Sequence, residues 1–376
     1  MAQITGTDGN DSLIGTTGDD SFAPLLGLDL VAGGLGFDLL AVNYAALLGI
    51  TATILPEGAS AFSGIIGNSL SPAANSVTFT GIEALAFTLS PGNDQLSIDA
   101  APLAAGATLQ LDAGAGFDVL RIDFSALADT TFQQGVNFLV TSNRGSFAGW
   151  DQFEITLGPG ANRVTTQAGA DVVRTTGGND TISTGAGNDT IWSAGSIDVI
   201  NGGAGTDTWH GDYSGWSSTL GYAYDTSTGQ GYVTNGTTLA GIEGGSIVTG
   251  SAEDNFLLMG LGRFHLDGGL AEDWLTWDDT GDLGVAYSVD IENAGAGVFS
   301  GQIANTTFAG IEHLNLALGD GDNYAFVDAA PLAAGATINL SGGLGFNTLA
   351  VDFSAFAGTS FALAADGTCL PVAVPG

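Results

Sequence analysis

Residues 157–210 divide without a gap into six nonapeptides: LGPGANRVT, TQAGADVVR, TTGGNDTIS, TGAGNDTIW, SAGSIDVIN and GGAGTDTWH. The sixth position reads Asn162, Asp171, Asp180, Asp189, Asp198, Asp207, and the eighth reads Val164, Val173, Ile182, Ile191, Ile200, Trp209. Residues 6–41 hold four more units, GTDGNDSLI, GTTGDDSFA, PLLGLDLVA and GGLGFDLLA, with Asp11, Asp20, Asp29 and Asp38 at the sixth position. Their eighth position is again apolar: Leu13, Phe22, Val31, Leu40. A fixed period of this kind marks a repeat architecture. Gly in the first half of each unit permits a tight turn. The last three residues alternate out, in, out, as a short strand does. Two units then make a coil of 18 residues, and stacked coils pair as parallel strands about 4.8 Å apart.

A longer period lies on top. Residues 81–127 return as 310–356 at an offset of 229, and the stretch from Asp99 to Thr108 is identical to that from Asp328 to Thr337. Coil-like segments alternate with excursions at about 43–80, 123–148, 212–240 and 278–309. Excursions begin at Asn43-Tyr44, Asp123-Phe124 and Asp212-Tyr213, and a further one opens at Asp352-Phe353 without a return. They end at Gly-Ile-Glu-like returns: Glu83, Asp151, Glu243 and Glu312. The alternation in 221–234 predicts a β-hairpin. The excursions are expected either to present a binding face or to widen the coil. The returns read as turn or edge positions, because an active site is rarely present in four copies. The fold class is therefore all-β, a parallel β-roll or β-solenoid interrupted by antiparallel hairpins. Four segments are expected: an N-terminal nonapeptide roll (1–42), a solenoid with two insertions (43–156), a central roll (157–210), and a degenerate copy (211–376) whose last excursion is incomplete. The core is expected to be a thin ladder of position-eight residues.

The chain has 376 residues, with 5 Lys+Arg against 40 Asp+Glu and a net charge of −35. Phosphate backbones and anionic membranes would repel it, which excludes nucleic acid as a default partner. Charged residues are only 12% and apolar residues 44%, so the charge does not mean disorder. Gly accounts for 60 residues, and each loses much backbone freedom on folding, so the chain needs a specific source of order.

The acids supply it. Carboxylates stacked at i and i+18 would repel by roughly 3–4 kcal/mol at an effective dielectric near 20, so the column is not expected to stand bare. A hard divalent cation reverses the sign. Calcium takes six to eight oxygens, mixing carboxylates with the carbonyls that Gly-rich turns expose, whereas magnesium demands a tighter octahedron. Zinc would want His or Cys, and His210, His265 and His313 share no ligand spacing.

The nonapeptides resemble G-G-x-G-x-D-x-U-x, the calcium-binding repeat of RTX (repeats-in-toxin, hemolysin-type) proteins, and 202–210 fits it at every defined position. The resemblance implies a right-handed parallel β-roll with Ca2+ held between turns. Carried over by position, the ligands are Asp11, Asp20, Asp29, Asp38, Asp171, Asp180, Asp189, Asp198 and Asp207. The pairs 11/29, 20/38, 162/180, 171/189, 180/198 and 189/207 give about six internal sites. Asp94, Asp118, Asp254 and Asp273 are weaker candidates, because their separations of 24 and 19 are not 18. Matching positions in the C-terminal copy are Asn323 and Asn347, so that copy is expected to have lost calcium sites and to rely on side-chain packing.

No nucleophile elbow, H-E-x-x-H motif or P-loop is present, so the sequence reads as a non-enzyme. Trp192, Trp216, Trp274 and Trp277 are expected to cover the solenoid rather than stack on sugars. One cysteine, Cys369, excludes an intrachain disulfide framework. The N-terminus has no secretory signal, and no apolar run is long enough for a transmembrane helix. RTX resemblance implies bacterial type I secretion and an extracellular or cell-surface place. Three functions stay open: a structural or surface protein of adhesin, matrix or S-layer type that folds on calcium and contacts cell-surface or matrix components, the calcium-binding portion of a larger toxin or hydrolase, and an enzyme with its site in the excursions.

Overall fold

The structure, a computed structural model, describes all residues except 72–73, 136–137, 282–283, 296, 357–359, 364–368 and 373–376. Of 360–363 and 369–372 it describes the backbone alone, so the Cys369 thiol and most of the C-terminal tail lie outside the described residues. The chain forms two compact units, Met1–Asp207 and Thr208–Gly376.

In the first unit the nonapeptide behaves as its pattern predicts. Positions seven to nine form the strands Ser12–Ile14, Arg163–Thr165, Thr181–Ser183 and Val199–Asn201. Register places Leu13 on Val31, Val164 on Ile182 and Ile182 on Ile200, each a step of 18. Alternate strands of a coil fall in two facing ladders, and position eight points between them. The position-eight residues of all ten units are buried. Each such aliphatic side chain contributes roughly 1.5–3 kcal/mol by leaving water. Close stacking requires Gly in the turns. At Gly187, φ is +143° and a Cβ would overlap the carbonyl oxygen of Gly169 in the coil before.

Coils of other lengths keep the same ladder. Gln95–Asp99 pairs in parallel with Val119–Phe124 at a step of 24, Leu96 on Leu120. The six additional residues are taken up by a 3-10 turn, Ala101–Ala105, closed by Gly106 at φ 99°. In the second unit the turn Ala330–Ala334 does the same between Tyr324–Asp328 and Thr348–Asp352. Asn255–Met259 pairs with Trp274–Asp278 at a step of 19.

The excursions are three-stranded meanders. Ile50–Glu57, Ala61–Asn68 and Ser76–Ile82 are mutually antiparallel in order. Their outer strands continue the parallel ladder, Ser76–Ile82 against Leu28–Ala32 and Ile50–Glu57 against Gln95–Asp99. Each excursion thus adds one reversed strand within the plane of the sheet. Leu139–Ser142 plays that part in the next excursion. In the second unit Gln230–Val233 and Val298–Ile303 do so. The hairpin expected in 221–234 is Gly221–Asp225 with Gln230–Val233.

Excursions open at one recurring corner. The side-chain oxygen of Asn43, Asp123, Asp212 or Asp352 accepts the N–H two residues on, at 2.8–3.1 Å. This is the Asx turn that these residue types favour. The aromatic that follows, Tyr44, Phe124 or Tyr213, is buried. In the last excursion Ser360–Leu363 pairs antiparallel with Cys369–Val372. Among the tryptophans, Trp277 is fully buried, Trp274 stacks on His313 at 4.5 Å, and Trp216 meets Tyr213 edge to face. Trp192 is partly exposed with Arg174 over its ring. Among the described residues no helix is long and apolar enough to cross a membrane.

Candidate metal centre

Position six lies where a turn enters its strand, so successive Asp residues stand one above another. Each presents Oδ1 to the backbone N–H of the rung before it. The N–H of Asp11 reaches Asp29 Oδ1 at 3.0 Å, and that of Asp20 reaches Asp38 Oδ1 at 2.8 Å. In the central block the donors Asn162, Asp171, Asp180 and Asp189 meet Oδ1 of Asp180, Asp189, Asp198 and Asp207 at 2.8–2.9 Å. All six pairs expected at i, i+18 are therefore in register.

The Asp residues at irregular spacing join the same ladders. The Asp94 N–H donates to Asp118 Oδ1 at 2.8 Å, and the Asp254 N–H to Asp273 Oδ1 at 2.7 Å. An expectation drawn from the 18-residue step alone ranks them too low, because excess length is absorbed outside the ladder, in the 24-residue coil by the 3-10 turn. The returns are also rungs, a role that sequence reasoning misses. Asp38, Asp118 and Asp273 each donate an N–H to a carboxylate of Glu83, Asp151 and Glu312, at 2.8–2.9 Å. The available signal is the Gly-Ile-Glu string itself, an acid recurring at each re-entry into the roll.

What happens at Oδ2 sorts the rungs. In Asp11, Asp20 and Asp94 it accepts the N–H of Thr7, Thr16 or Ser90, four residues back, at 2.5–2.9 Å. That bond holds the Asp20 carboxyl below its ordinary pKa. Asp198 receives the Ser196 hydroxyl on both oxygens at 3.0 Å. In Asp29, Asp38, Asp118, Asp171, Asp180, Asp254 and Asp273, Oδ2 is buried with no hydrogen-bond partner among the described residues. Burial pushes Asp118, Asp171 and Asp273 up to about 7 and Asp180 to about 6. For Asp171 the neighbouring Asp189 charge acts in the same direction but behind burial. The expectation that mutual repulsion dominates is thus corrected: the N–H of the preceding rung offsets part of each charge, and desolvation is the larger cost.

Oxygens also face these orphans across a gap that only Gly leaves. A Cβ on Gly33 would lie 2.7 Å from Asp38 Oδ2 and overlap the carbonyl oxygen of Gly81. In the second unit a Cβ on Gly268 would lie 2.6 Å from Asp273 Oδ2 and overlap the carbonyl oxygen of Gly310. Among the described residues no three His, Cys, Asp or Glu side chains converge on one point, so an ion here would draw on backbone carbonyls as well. A set of carboxylate and carbonyl oxygens without nitrogen or sulfur suits calcium. The donors present therefore fit the ion, and calcium held there would relieve the buried charge of each open rung. Each of the three histidines instead places Nδ1 2.8–2.9 Å from a Ser or Thr hydroxyl: His210 at Ser246, His265 at Thr307, His313 at Thr337.

Glycine at this gap is open to test. Gly33→Ala is expected to weaken calcium binding at the Asp38 rung at least tenfold and to cost ~1–3 kcal/mol, the range for a backbone-blocked core substitution. Gly18→Ala is the control, since nothing lies within 4 Å of its Cβ. Calorimetric calcium titration of both variants checks this, and equal affinities would remove Gly33 from the site.

A family model for the RTX calcium-binding nonapeptide repeat matches the chain in four copies, over residues 5–40, 156–191 and 183–212. No curated protein matches it significantly. The matched segments are those whose carboxylates form the 18-residue ladders, and in them the chain accordingly bears calcium-binding nonapeptide repeats of the RTX type.

Proposed function

We propose that this protein is a secreted structural or surface component, of adhesin, matrix or S-layer type, that becomes compact on meeting extracellular calcium. One observation carries the reading: seven buried carboxylate oxygens, in rungs of both units, have no hydrogen-bond partner among the described residues. A calcium-poor cytosol would leave these groups without an ion, and a calcium-rich exterior would fill them, so location becomes part of the folding mechanism. The reading assigns the chain no catalytic role. In its support, the acids repeated at the returns serve as rungs, and the histidine rings are tied to hydroxyls of the neighbouring strand. Export through a type I route agrees with the RTX repeats and with folding that waits for calcium.

The test is isothermal calorimetry of the full chain with calcium. About five ions are expected, one for each Asp–Asp pair stacked 18 residues apart in the nonapeptide blocks, the Asn162–Asp180 pair left aside. Binding of one ion or none would sink the proposal.

A further inference from the structure

Three rungs carry Asn where the repeat has Asp, and two of them, Asn162 and Asn323, show what occupies the orphan's place when no ion is needed. Asn162 is buried, and its Oδ1 accepts the Thr130 N–H at 2.8 Å. That bond fixes which end of the amide is oxygen. Its Nδ2 therefore faces the turn, where it meets the carbonyl of Gly158 at 2.9 Å, the carbonyl of Gly160 at 3.1 Å and Asp180 Oδ1 at 2.9 Å. Asn323, in the other unit, repeats the arrangement. Tyr287 N–H fixes its Oδ1 at 2.8 Å. Its Nδ2 lies 3.0 Å from the carbonyls of Gly319 and Gly321, 2.8 Å from that of Gly342 and 2.9 Å from Asn347 Oδ1.

In both cases the oxygens come from residues i−4 and i−2 and from the next rung. Four oxygens around one Asn323 nitrogen form a cage of the kind a cation takes, and an amide brings a partial positive charge and two protons to its centre without a metal. An Asp there would set its second oxygen against the same oxygens, and the cage would then call for an ion.

We propose that Asn162 and Asn323 are built-in replacements for calcium, which close their rungs permanently and divide the roll into calcium-independent and calcium-dependent stretches. This deepens the reading that open Asp rungs take calcium, and rests on it. It also changes the expectation that the C-terminal copy merely lost its sites to packing. The ladder Tyr287–Asn323–Asn347 is held by amides, with Asn347 Nδ2 in turn 3.3 Å from the Gly343 carbonyl. Asn is near-isosteric with Asp, so Asn323→Asp creates a calcium site at a position where the natural chain needs none.

The experiment is hydrogen exchange on the full chain, with and without chelator, for wild type, Asn323→Asp and Asn162→Asp. In wild type, amides of 319–328 are expected to keep their protection in chelator while those around Asp171 lose it. In Asn323→Asp, protection of 319–328 is expected to vanish in chelator and return with calcium, and calorimetry should count one more ion than in wild type. Asn162→Asp should do the same for 158–165. Loss of wild-type protection at 319–328 on chelation, or an Asn323→Asp variant still protected without calcium, would overturn the assignment. Should wild type bind no calcium at all, the proposed function fails. Protection of 319–328 in wild type and in Asn323→Asp, compared in chelator, then still decides the role of the amide.

Discussion

Chelating calcium at neutral pH is expected to abolish most of the β-sheet circular dichroism of the saturated protein, and restoring calcium to bring it back. The size of the effect follows from what holds the roll together. Its core is one apolar residue wide in nonapeptide strands such as Ser12–Ile14, Arg163–Thr165, Thr181–Ser183 and Val199–Asn201, and 60 glycines oppose ordering. Seven carboxylates are desolvated with one oxygen unsatisfied, each an unfavourable burial that water would relieve on unfolding. A ligand that binds only the folded chain adds about 2.7 kcal/mol per site at a hundredfold excess over Kd. Roughly four such sites match the whole net stability of an ordinary domain, about 5–15 kcal/mol. Removal of the ions therefore takes away a contribution as large as the stability itself. A far-ultraviolet spectrum unchanged by chelator would show that the rungs stand without them.

The two-residue logic of the strands was legible in the sequence, because position eight must be apolar to face a core and position six must be polar to end a turn. Leu13, Val31, Ile182 and Ile200 lie where the pattern puts them. The period of 18 was also legible, since register follows directly from repeat length. The ladder's other half was not, because backbone N–H donors leave no letter in the sequence: the bond from Asp171 to Asp189 Oδ1 is invisible until the coils are stacked. Asp94 and Asp118 look isolated for a related reason. Their 24-residue step hides a regular coil carrying the Ala101–Ala105 turn. Thr7, Thr16 and Ser90 mark rungs closed from within, and a Ser or Thr four residues before the Asp is a usable signal for that class. It is not a sufficient one, since Thr176 precedes Asp180 by four and Asp180 Oδ2 remains open.

Acid is expected to do part of calcium's work. In the folded, calcium-free chain burial raises Asp118, Asp171 and Asp273 to about 7 and Asp180 to about 6. In the unfolded chain an Asp titrates near ~3.9. Between these limits the folded form binds more protons than the unfolded form, so its stability rises as pH falls. The contribution is fully present below about pH 4 and is lost as pH climbs through 6 and 7. In chelator, lowering pH from 8 to 5 should accordingly restore β-sheet signal. In calcium the sign is opposite for binding: protons and ions compete for the same oxygens, so the apparent calcium affinity should fall over the same interval. The general decline of negative charge also favours compaction in acid, and the double variant Asp118→Asn, Asp171→Asn separates the two causes. Its amides cannot titrate, so it should be less dependent on pH between 5 and 8 than wild type while keeping nearly the same overall charge. If wild type and the double variant gained signal in parallel on acidification, the raised carboxyls would not be the groups responsible, and bulk charge would be.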